Sequence, residues 1–472
     1  MNKHSDTGSA SSSGRRRRRA PGLALVASAL LAAVSACSGG SGDTTASASS
    51  APASAAADRT PVTITLWSGF TDRELGVLGA AVDQFEKTHP WITVKNVGAQ
   101  DDDKIVKAIR AGNAPDAALS FTADRIGSYC GSKAWIDLGP YIARDKVDLS
   151  VIPQVSRDYT QFGGVRCALP ALADTYGLYY NTKLLKGAGY DSPPKTASEL
   201  LDMAVKLTSY NPDGSIKVAG FVPLWGFYEM APAHVAPVWG ATWTDGAGKS
   251  NFHDPAWTAL LQWQKKFVDA IGYDKLRRFT SGAGDSEFAE TNLFETGRLA
   301  MNIDGEYRTA FIHSEHPELA FGTAPFPTAD TRTDLYGAGY VTGNSLGIPR
   351  TTTGRNLEAA WQLVRYLSTD PAAQTLLAQQ LKNVPTLTPA LSDTSLTNDA
   401  RFGVFMKIYA NSKSGTTPPS AAGSADQDTL SALAEKYQAG SVADLASALT
   451  AADKQVDAQV AQAAGPGGGG AP

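Results

Sequence analysis

Residues 62–97 read VTITLWSGFTDRELGVLGAAVDQFEKTHPWITVKNV, and this stretch decides the fold class. Its first part alternates apolar residues with threonine, a pattern typical of a β-strand, and this strand ends near Trp67. Thr71 and Glu74 then have the spacing of a capping box, and apolar residues recur behind them at helical spacing. A second strand is predicted over residues 92–97.

The same pattern continues with a helix around residues 105–109 and a third strand at 116–119. Strands that alternate with helices predict right-handed crossovers and a parallel sheet. The segments that follow the first and third strands, residues 67–70 and 121–125, then leave the same carboxyl edge, where ligands of such sheets bind. We therefore expect these two segments to lie close together.

Later segments indicate a second α/β unit. A helix is predicted from Ser198 to Leu207, and another begins at Asp370-Pro371, with proline at the first helical position. The predicted fold class is α/β.

The N-terminus has the pattern of a bacterial export signal. Five arginines, residues 15–19, precede an apolar run that is too short to span a bilayer, and the run ends in Val34-Ser35-Ala36-Cys37, which resembles a lipobox. We expect residues 1–36 to be a lipoprotein signal peptide and Cys37 to be lipidated; a plain secretory signal with an incidental cysteine is the alternative. Residues 37–58 predict a flexible linker, and residues 465–472 predict a disordered tail.

Charge and cysteine content narrow the function classes. Removal of residues 1–36 takes away six basic residues and one acidic residue, which changes the formal net charge from −4 to −9. A nucleic-acid partner is therefore not expected, because such binding depends on clustered basic residues. In an exported protein the remaining pair, Cys130 and Cys167, favours a disulfide over two buried thiols.

Short motifs that suggest enzymes or metals have simpler readings. Residues 343–347, GNSLG, match G-x-S-x-G, but Pro349 prevents the helix that a nucleophile elbow requires, so we expect a turn at a strand end. The histidines and cysteines show no zinc spacing. No metal and no cofactor are predicted.

Carboxylates near aromatic residues leave one enzymatic alternative open, an exported lipid-anchored glycoside hydrolase. Such enzymes need two carboxyl groups at a defined separation, which the sequence does not give. A mixture of carboxylates and rings is also what a sugar-binding cleft needs, since hydroxyls require polar partners and the apolar face of a pyranose requires a flat ring. The candidate carboxylates are Asp124, Asp174, Glu229, Asp304 and Glu306.

Five segments, in order, resemble the extracellular solute-binding proteins of ABC importers, the family that includes maltose-binding protein. The resemblance runs from about Val62 to Leu445. Its segments are FEKTHPWITV at 85–94, APDAALSFTADRIGSY at 114–129, LYYNTKLLKGAGYDSPPKTASELL at 178–201, GRLAMNIDGEY at 297–307, and GNSLGIPR followed by EAAWQLVRYLSTDPAAQ within 343–374.

The resemblance implies a two-lobed periplasmic-binding-protein-like fold. Each lobe would be a mainly parallel sheet flanked by helices, and hinge crossovers would join the two. The expected ranges are 59–166 plus 304–339 for lobe 1, and 167–303 plus 340–464 for lobe 2.

The resemblance also implies contact residues for the ligand. In maltodextrin binders of this family an aromatic residue, two others and Asp-Arg follow the third strand, which matches Phe121, Asp124 and Arg125. Tyr307 matches a family aromatic residue, and Asp174 matches an acidic residue before the family's Tyr-Asn pair. Less closely matched candidates are Trp67, Ser68, Tyr228, Glu229 and Tyr340.

The implied function is that of a receptor and not of an enzyme. It would bind a sugar or oligosaccharide by lobe closure and deliver it to the permease subunits of an ABC transporter with its ATPase. The expected location is the outer face of the bacterial cytoplasmic membrane, reached through the lipid anchor only, and the expected state is a monomer.

Overall fold

The computed structural model describes residues 58–282 and 287–465. The predicted signal peptide, Cys37 and the rest of the linker before Asp58 lie outside the described residues, as does the predicted tail beyond Gly465. The strands, named in chain order, are β1 Val62–Trp67, β2 Ile92–Val97, β3 Ala117–Ser120, β4 Ala168–Asn181, β5 Ser209–Tyr210, β6 Ile216–Val218, β7 Met301–Gly305, β8 Phe321–Ala324, β9 Val341–Gly347 and β10 Val384–Pro385.

Helices flank these strands, and in the two described ranges none is long and apolar enough to cross a membrane. The helices are α1 Asp72–Thr88, α2 Asp102–Ala111, α3 Ile126–Gly131, α4 Gly139–Arg144, α5 Gln154–Tyr159, α6 Thr182–Gly187, α7 Ala197–Leu207, α8 Pro232–Trp239, α9 Pro255–Ile271, α10 Tyr273–Ser281, α11 Arg308–Glu315, α12 Gly354–Thr369, α13 Pro371–Leu381, α14 Thr388–Leu391, α15 Thr394–Thr397, α16 Phe402–Ala410, α17 Ala425–Gln438 and α18 Leu445–Ala464.

The first three strands form the parallel sheet that the sequence predicts. β1 pairs in parallel with β2 and with β3. The segments that follow β1 and β3 do meet at the carboxyl edge, since Phe70 and Phe121 pack edge to face with ring centroids 4.9 Å apart. The predicted capping box of α1 is wrong in detail: Thr71 is the N-cap residue, but its side chain makes no capping hydrogen bond.

The long strand β4 belongs to both halves of the molecule. Its first part, up to Thr175, pairs antiparallel with β9, which in turn pairs with β3. Its last part pairs antiparallel with β7 and β8. One continuous strand therefore connects the sheet around β1 with the second group of strands.

Two hydrophobic clusters correspond to two lobes, which confirms the predicted two-lobed α/β class. One contains Ile64 of β1, Leu346 of β9 and Trp361 of α12, all completely buried. The other contains Leu178 at the far end of β4 and Phe405 of α16, which are also completely buried.

The predicted lobe ranges assign residues 304–339 to lobe 1, but the packing of these residues favours another division. β8 pairs with the far end of β4, and Phe326 belongs to the second cluster. Helices α12 and α13 pack in the first cluster instead. The contacts favour residues 304–342 in lobe 2 and residues 343–381 in lobe 1, and this division is the one we propose.

The G-x-S-x-G sequence is not a strand-end turn. Residues 343–347 lie inside β9, and Ser345 is completely buried between β3 and β4. The structure also joins Cys130 to Cys167 in a disulfide with an S–S distance of 2.08 Å, which ties α3 to the start of β4.

Gly343 lies at the place where β9 passes between the lobes, and its conformation requires glycine. Its φ is 147°, and a Cβ atom there would come within 2.2 Å of the carbonyl oxygen of Leu172. We expect Gly343→Ala to lower the free energy of unfolding by about 2–4 kcal/mol, measured by denaturant titration. Gly76→Ala is the control, because Gly76 has open space in the interior of α1 and alanine is the better helix former there. Equal stability of Gly343→Ala and the parent protein would contradict this reading.

Candidate functional site

The structure brings five of the predicted contact residues into one connected region where the lobes meet. Three rings, those of Tyr176, His234 and Tyr340, link its two sides and are called the ring row below. His234 of α8 is stacked on Tyr176 with a centroid distance of 3.7 Å, and it lies 5.2 Å from the ring of Tyr340. The five predicted residues in this region are Asp124, Asp174, Glu229, Tyr307 and Tyr340.

Glu229 is held by its neighbours at one end of the ring row. The hydroxyl group of Tyr307 donates a hydrogen bond to its carboxylate. His234 Nδ1 lies 2.8 Å from the Glu229 carbonyl oxygen and 3.3 Å from its carboxylate. Burial lowers the pKa of His234, so the ring is neutral at physiological pH.

A second carboxyl group, Glu287, lies against Glu229. Burial and the Glu229 charge raise the pKa of Glu287 to about 9, so this carboxyl group is protonated at neutral pH. A protonated carboxyl group can donate a hydrogen bond to a neighbouring carboxyl oxygen, so Glu287 can act as a donor at this end of the ring row.

Asp174 and Glu306 form a carboxyl pair between the strands that cross from one lobe to the other. The side-chain amide of Asn383, just before β10, donates to Asp174 Oδ1 at 2.5 Å and to Glu306 Oε1 at 3.0 Å. The backbone amide of Thr175 donates to Glu306 Oε2 at 2.8 Å. Burial and the Asp174 charge raise the pKa of Glu306 well above its usual value, whereas burial raises that of Asp174 to about 6.

Asp124 joins lobe 1 to lobe 2 on the other side of the ring row. The side-chain amide of Gln427, in α17, donates to Asp124 Oδ1 at 2.7 Å. The same nitrogen lies 3.1 Å from the Tyr340 hydroxyl oxygen and 2.8 Å from Thr417 Oγ1. Burial raises the pKa of Asp124 to about 6.

The other predicted residues lie outside this connected group. Ser68 is completely buried, Trp67 packs in the cluster around the disulfide, and Phe121 packs on Phe70. Arg125 forms an ion pair with Asp103, 3.6 Å away, and both side chains are well exposed.

Tyr228 packs away from the ring row. It lies next to Glu229 in the chain, and its hydroxyl oxygen accepts from the backbone amide of Leu293 at 3.1 Å. Its ring is stacked on Phe227 at 4.0 Å.

Several residues of the region were missed from the sequence. Tyr176 could have been found, because side chains two apart on a strand point to the same face and Asp174 was already a candidate. Glu306 was named only among the candidate carboxylates of the hydrolase alternative, although it directly precedes the predicted Tyr307. Residues Asn383 and Gln427 gave no local signal, because they come from distant segments.

The region combines hydrogen-bond acceptors with ring surfaces. Side chains of these two kinds can accept hydrogen bonds from hydroxyl groups and cover apolar C–H faces. In residues 58–282 and 287–465, no three metal-ligating side chains lie close enough to hold a metal ion.

Comparison with known proteins decides the family. The model of the family described as bacterial extracellular solute-binding protein matches residues 72–374. The chain belongs to this family. The match spans well over half of the chain and includes most of the region described above.

Two relatives are similar in sequence. The maltotriose-binding protein of Pyrococcus abyssi is 23% identical over 337 residues, which cover 71% of this chain and 69% of the relative. A probable ABC transporter-binding protein of Deinococcus radiodurans is 25% identical over 340 residues, which cover 66% of this chain and 76% of the relative.

Solved structures share the fold. CpMnBP1 with mannobiose bound has a TM-score of 0.72 and 24% identity, and the match covers 83% of this chain and 99% of that one. The GacH receptor of Streptomyces glaucescens, solved unliganded and with acarbose, has a TM-score of 0.68 and 20% identity, with 84% of this chain and 98% of that one covered.

The buried carboxyl pair predicts how stability depends on pH. Because the folded-state pKa of Glu306 is raised, its contribution to stability is present at low pH and is lost as pH rises through that pKa. Glu306→Gln imitates the protonated form. We expect its free energy of unfolding to fall less than that of the parent protein between about pH 5 and about pH 9, in denaturant titrations. Parallel curves for the two proteins would show that Glu306 is ionised in the folded state.

Proposed function

We propose that this solute-binding protein captures a sugar or oligosaccharide outside the cytoplasmic membrane and delivers it to the permease of an ABC importer. The row formed by Tyr176, His234 and Tyr340 carries the proposal, because carboxylates of both lobes flank it. The Pyrococcus relative is named for maltotriose and CpMnBP1 was solved with mannobiose, which supports a saccharide as ligand.

Each side of the region would bind a different part of the ligand. Asp124 of lobe 1 and Glu229 of lobe 2 would accept hydrogen bonds from hydroxyl groups, while Tyr307 and the ring row would cover apolar sugar faces. A ligand that contacts both lobes stabilises the closed state because it binds that state more tightly than the open one. The permease would recognise the closed state. A dissociation constant near 1 μM corresponds to about −8 kcal/mol, which a few such contacts supply.

A panel of mono- and oligosaccharides tests the proposal by calorimetry. For a ligand found in this way, we expect Tyr307→Phe to weaken binding about 3- to 10-fold, because the variant loses the hydroxyl group that positions Glu229. Tyr210→Phe is the matched control, since Tyr210 is exposed on β5. No binding of any saccharide would contradict the proposal.

Incubation of the protein with the same saccharide panel tests the glycoside hydrolase alternative. A receptor binds without producing new reducing ends. Turnover that one carboxylate substitution removes would establish the hydrolase instead. The sharing of the Asn383 amide by Asp174 and Glu306, and the complete burial of Glu306, support the receptor over a hydrolase that would use this pair.

The lipid anchor at Cys37 is the remaining part of the proposal. The lipobox-like sequence before it supports diacylation and attachment to the outer face of the cytoplasmic membrane. We expect the Cys37→Ser substitution to move the protein from the membrane fraction to the medium. Immunoblotting of the two fractions measures this change. Retention of the variant in the membrane fraction would exclude this anchor.

A further inference from the structure

Residues 417–427, which lead into the first turn of α17, contact both lobes and are called the clasp segment below. Both ends of the clasp segment are held in lobe 2. Before it, the carbonyl oxygen of Gly415 accepts from the backbone amide of Val341 at 2.8 Å. After it, Leu430 of α17 is completely buried in the hydrophobic cluster of lobe 2. The clasp segment therefore moves with lobe 2.

The surface opposite the clasp segment is residues 123–127, the turn after β3 and the start of α3. This surface is attached to lobe 1 in two ways. Ile126 is completely buried in the cluster that also contains Ala118 of β3. The disulfide between Cys130 and Cys167 ties α3 to the start of β4. The contact between this surface and the clasp segment therefore joins the two lobes.

The two backbones approach closely at this contact. A Cβ atom at Gly127 would come within 2.2 Å of the carbonyl oxygen of Ser420 and within 2.4 Å of its nitrogen. Ala123 is buried in the hydrophobic cluster of lobe 2. Glycine at position 127 thus permits an approach of the lobes that any larger residue would prevent.

Gln427 makes the polar link across this contact. Its side-chain Nε2 donates to Asp124 Oδ1 at 2.7 Å, and it lies 2.8 Å from Thr417 Oγ1 and 3.1 Å from the Tyr340 hydroxyl oxygen. An ionised carboxylate only accepts, so one amide hydrogen goes to Asp124 and the orientation of the amide is fixed. Hydrogen bonds to a charged group are stronger than neutral ones. Every partner is a protein atom, so this link can form before a ligand binds.

We propose that Gln427 is a positioning residue for ligand binding, which holds the two lobes together through Asp124 and so populates the closed state before a ligand binds. A ligand then increases this population further. The inference rests on the proposed function for its effect on affinity, but not for its effect on lobe closure. Apparent affinity scales with the population of the state that is competent to bind, so Gln427 tightens the binding of every ligand alike.

Single-molecule energy transfer on the full chain without ligand tests the inference, with one label in each lobe at Lys107→Cys and Lys206→Cys and with Cys37 replaced by serine. We expect Gln427→Ala to lower the ratio of closed to open molecules about tenfold, because a hydrogen bond to a carboxylate is lost. Lys436→Ala is the control, since Lys436 is exposed on the same helix. An unchanged distribution of distances in a folded Gln427→Ala protein would overturn the inference.

An exchange of donor and acceptor assigns the effect to this one bond. Gln427→Glu places a second carboxylate against Asp124, so we expect it to open the lobes more than Gln427→Ala does. Addition of Asp124→Asn should return the closed fraction towards that of the parent protein, because the amide introduced at position 124 can donate to the carboxylate introduced at position 427. A double variant that stays as open as Gln427→Glu would overturn the assignment to this bond.

Gly127→Ala keeps the inference testable if the variants at position 427 do not fold, as judged by thermal melting. Alanine favours the helix, so α3 itself is not weakened, but its Cβ atom would collide with Ser420. We expect the ligand-free lobes to open, and a parent-like distribution would overturn the inference.

Calorimetry separates this inference from the proposed function. For any saccharides that bind, we expect Gln427→Ala to raise the dissociation constant up to about tenfold and by the same factor for each of them. Unchanged affinity would overturn the inference and leave the proposed function standing. If no saccharide binds, the proposed function fails, while the distances in the ligand-free protein still decide the role of Gln427.

Discussion

The structure depends on one continuous strand, β4, which pairs with the strands of both lobes. Its start is bonded to β9 in the sheet of lobe 1, and its end lies between β7 and β8 in lobe 2. Asp174 and Tyr176 lie where the pairing partners change, and both belong to the candidate site. A site at this place is formed by residues on a shared strand and by residues that only the packing of two lobes brings together. Any relative movement of the lobes therefore changes the site directly.

The chemistry of the site follows from its carboxyl groups. Asp124, Asp174, Glu229 and Glu306 lie in one connected region, and burial raises the pKa of Glu306 well above its usual value. Arg308 forms its ion pairs with Asp304 and Glu295 inside lobe 2 instead. A ligand rich in hydrogen-bond donors, such as the proposed saccharide, would therefore find acceptors in both lobes.

The sequence predicted the local elements well, because they depend on patterns of neighbouring residues. β1 ends at Trp67 and β2 spans residues 92–97 as predicted from their patterns, and α13 begins at Pro371 as expected. The lobe ranges depend on which sheet a crossover strand such as β9 joins, and its local sequence does not give its pairing partners. Asp124, Glu229 and Tyr307 were identified through family resemblance. Gln427 could not be, since it reaches the site through a contact with Asp124 across a separation of 303 residues.

The central claim is that ligand binding draws two lobes together around the shared site. Single-molecule energy transfer measures this most directly, with labels at Lys107→Cys in α2 and Lys206→Cys in α7 and with Cys37 replaced by serine. Both lysines are exposed, and they lie in different lobes. The account predicts that a saccharide bound by the protein shortens and narrows the distribution of distances between the labels. A distribution that stays the same at saturating ligand would contradict it.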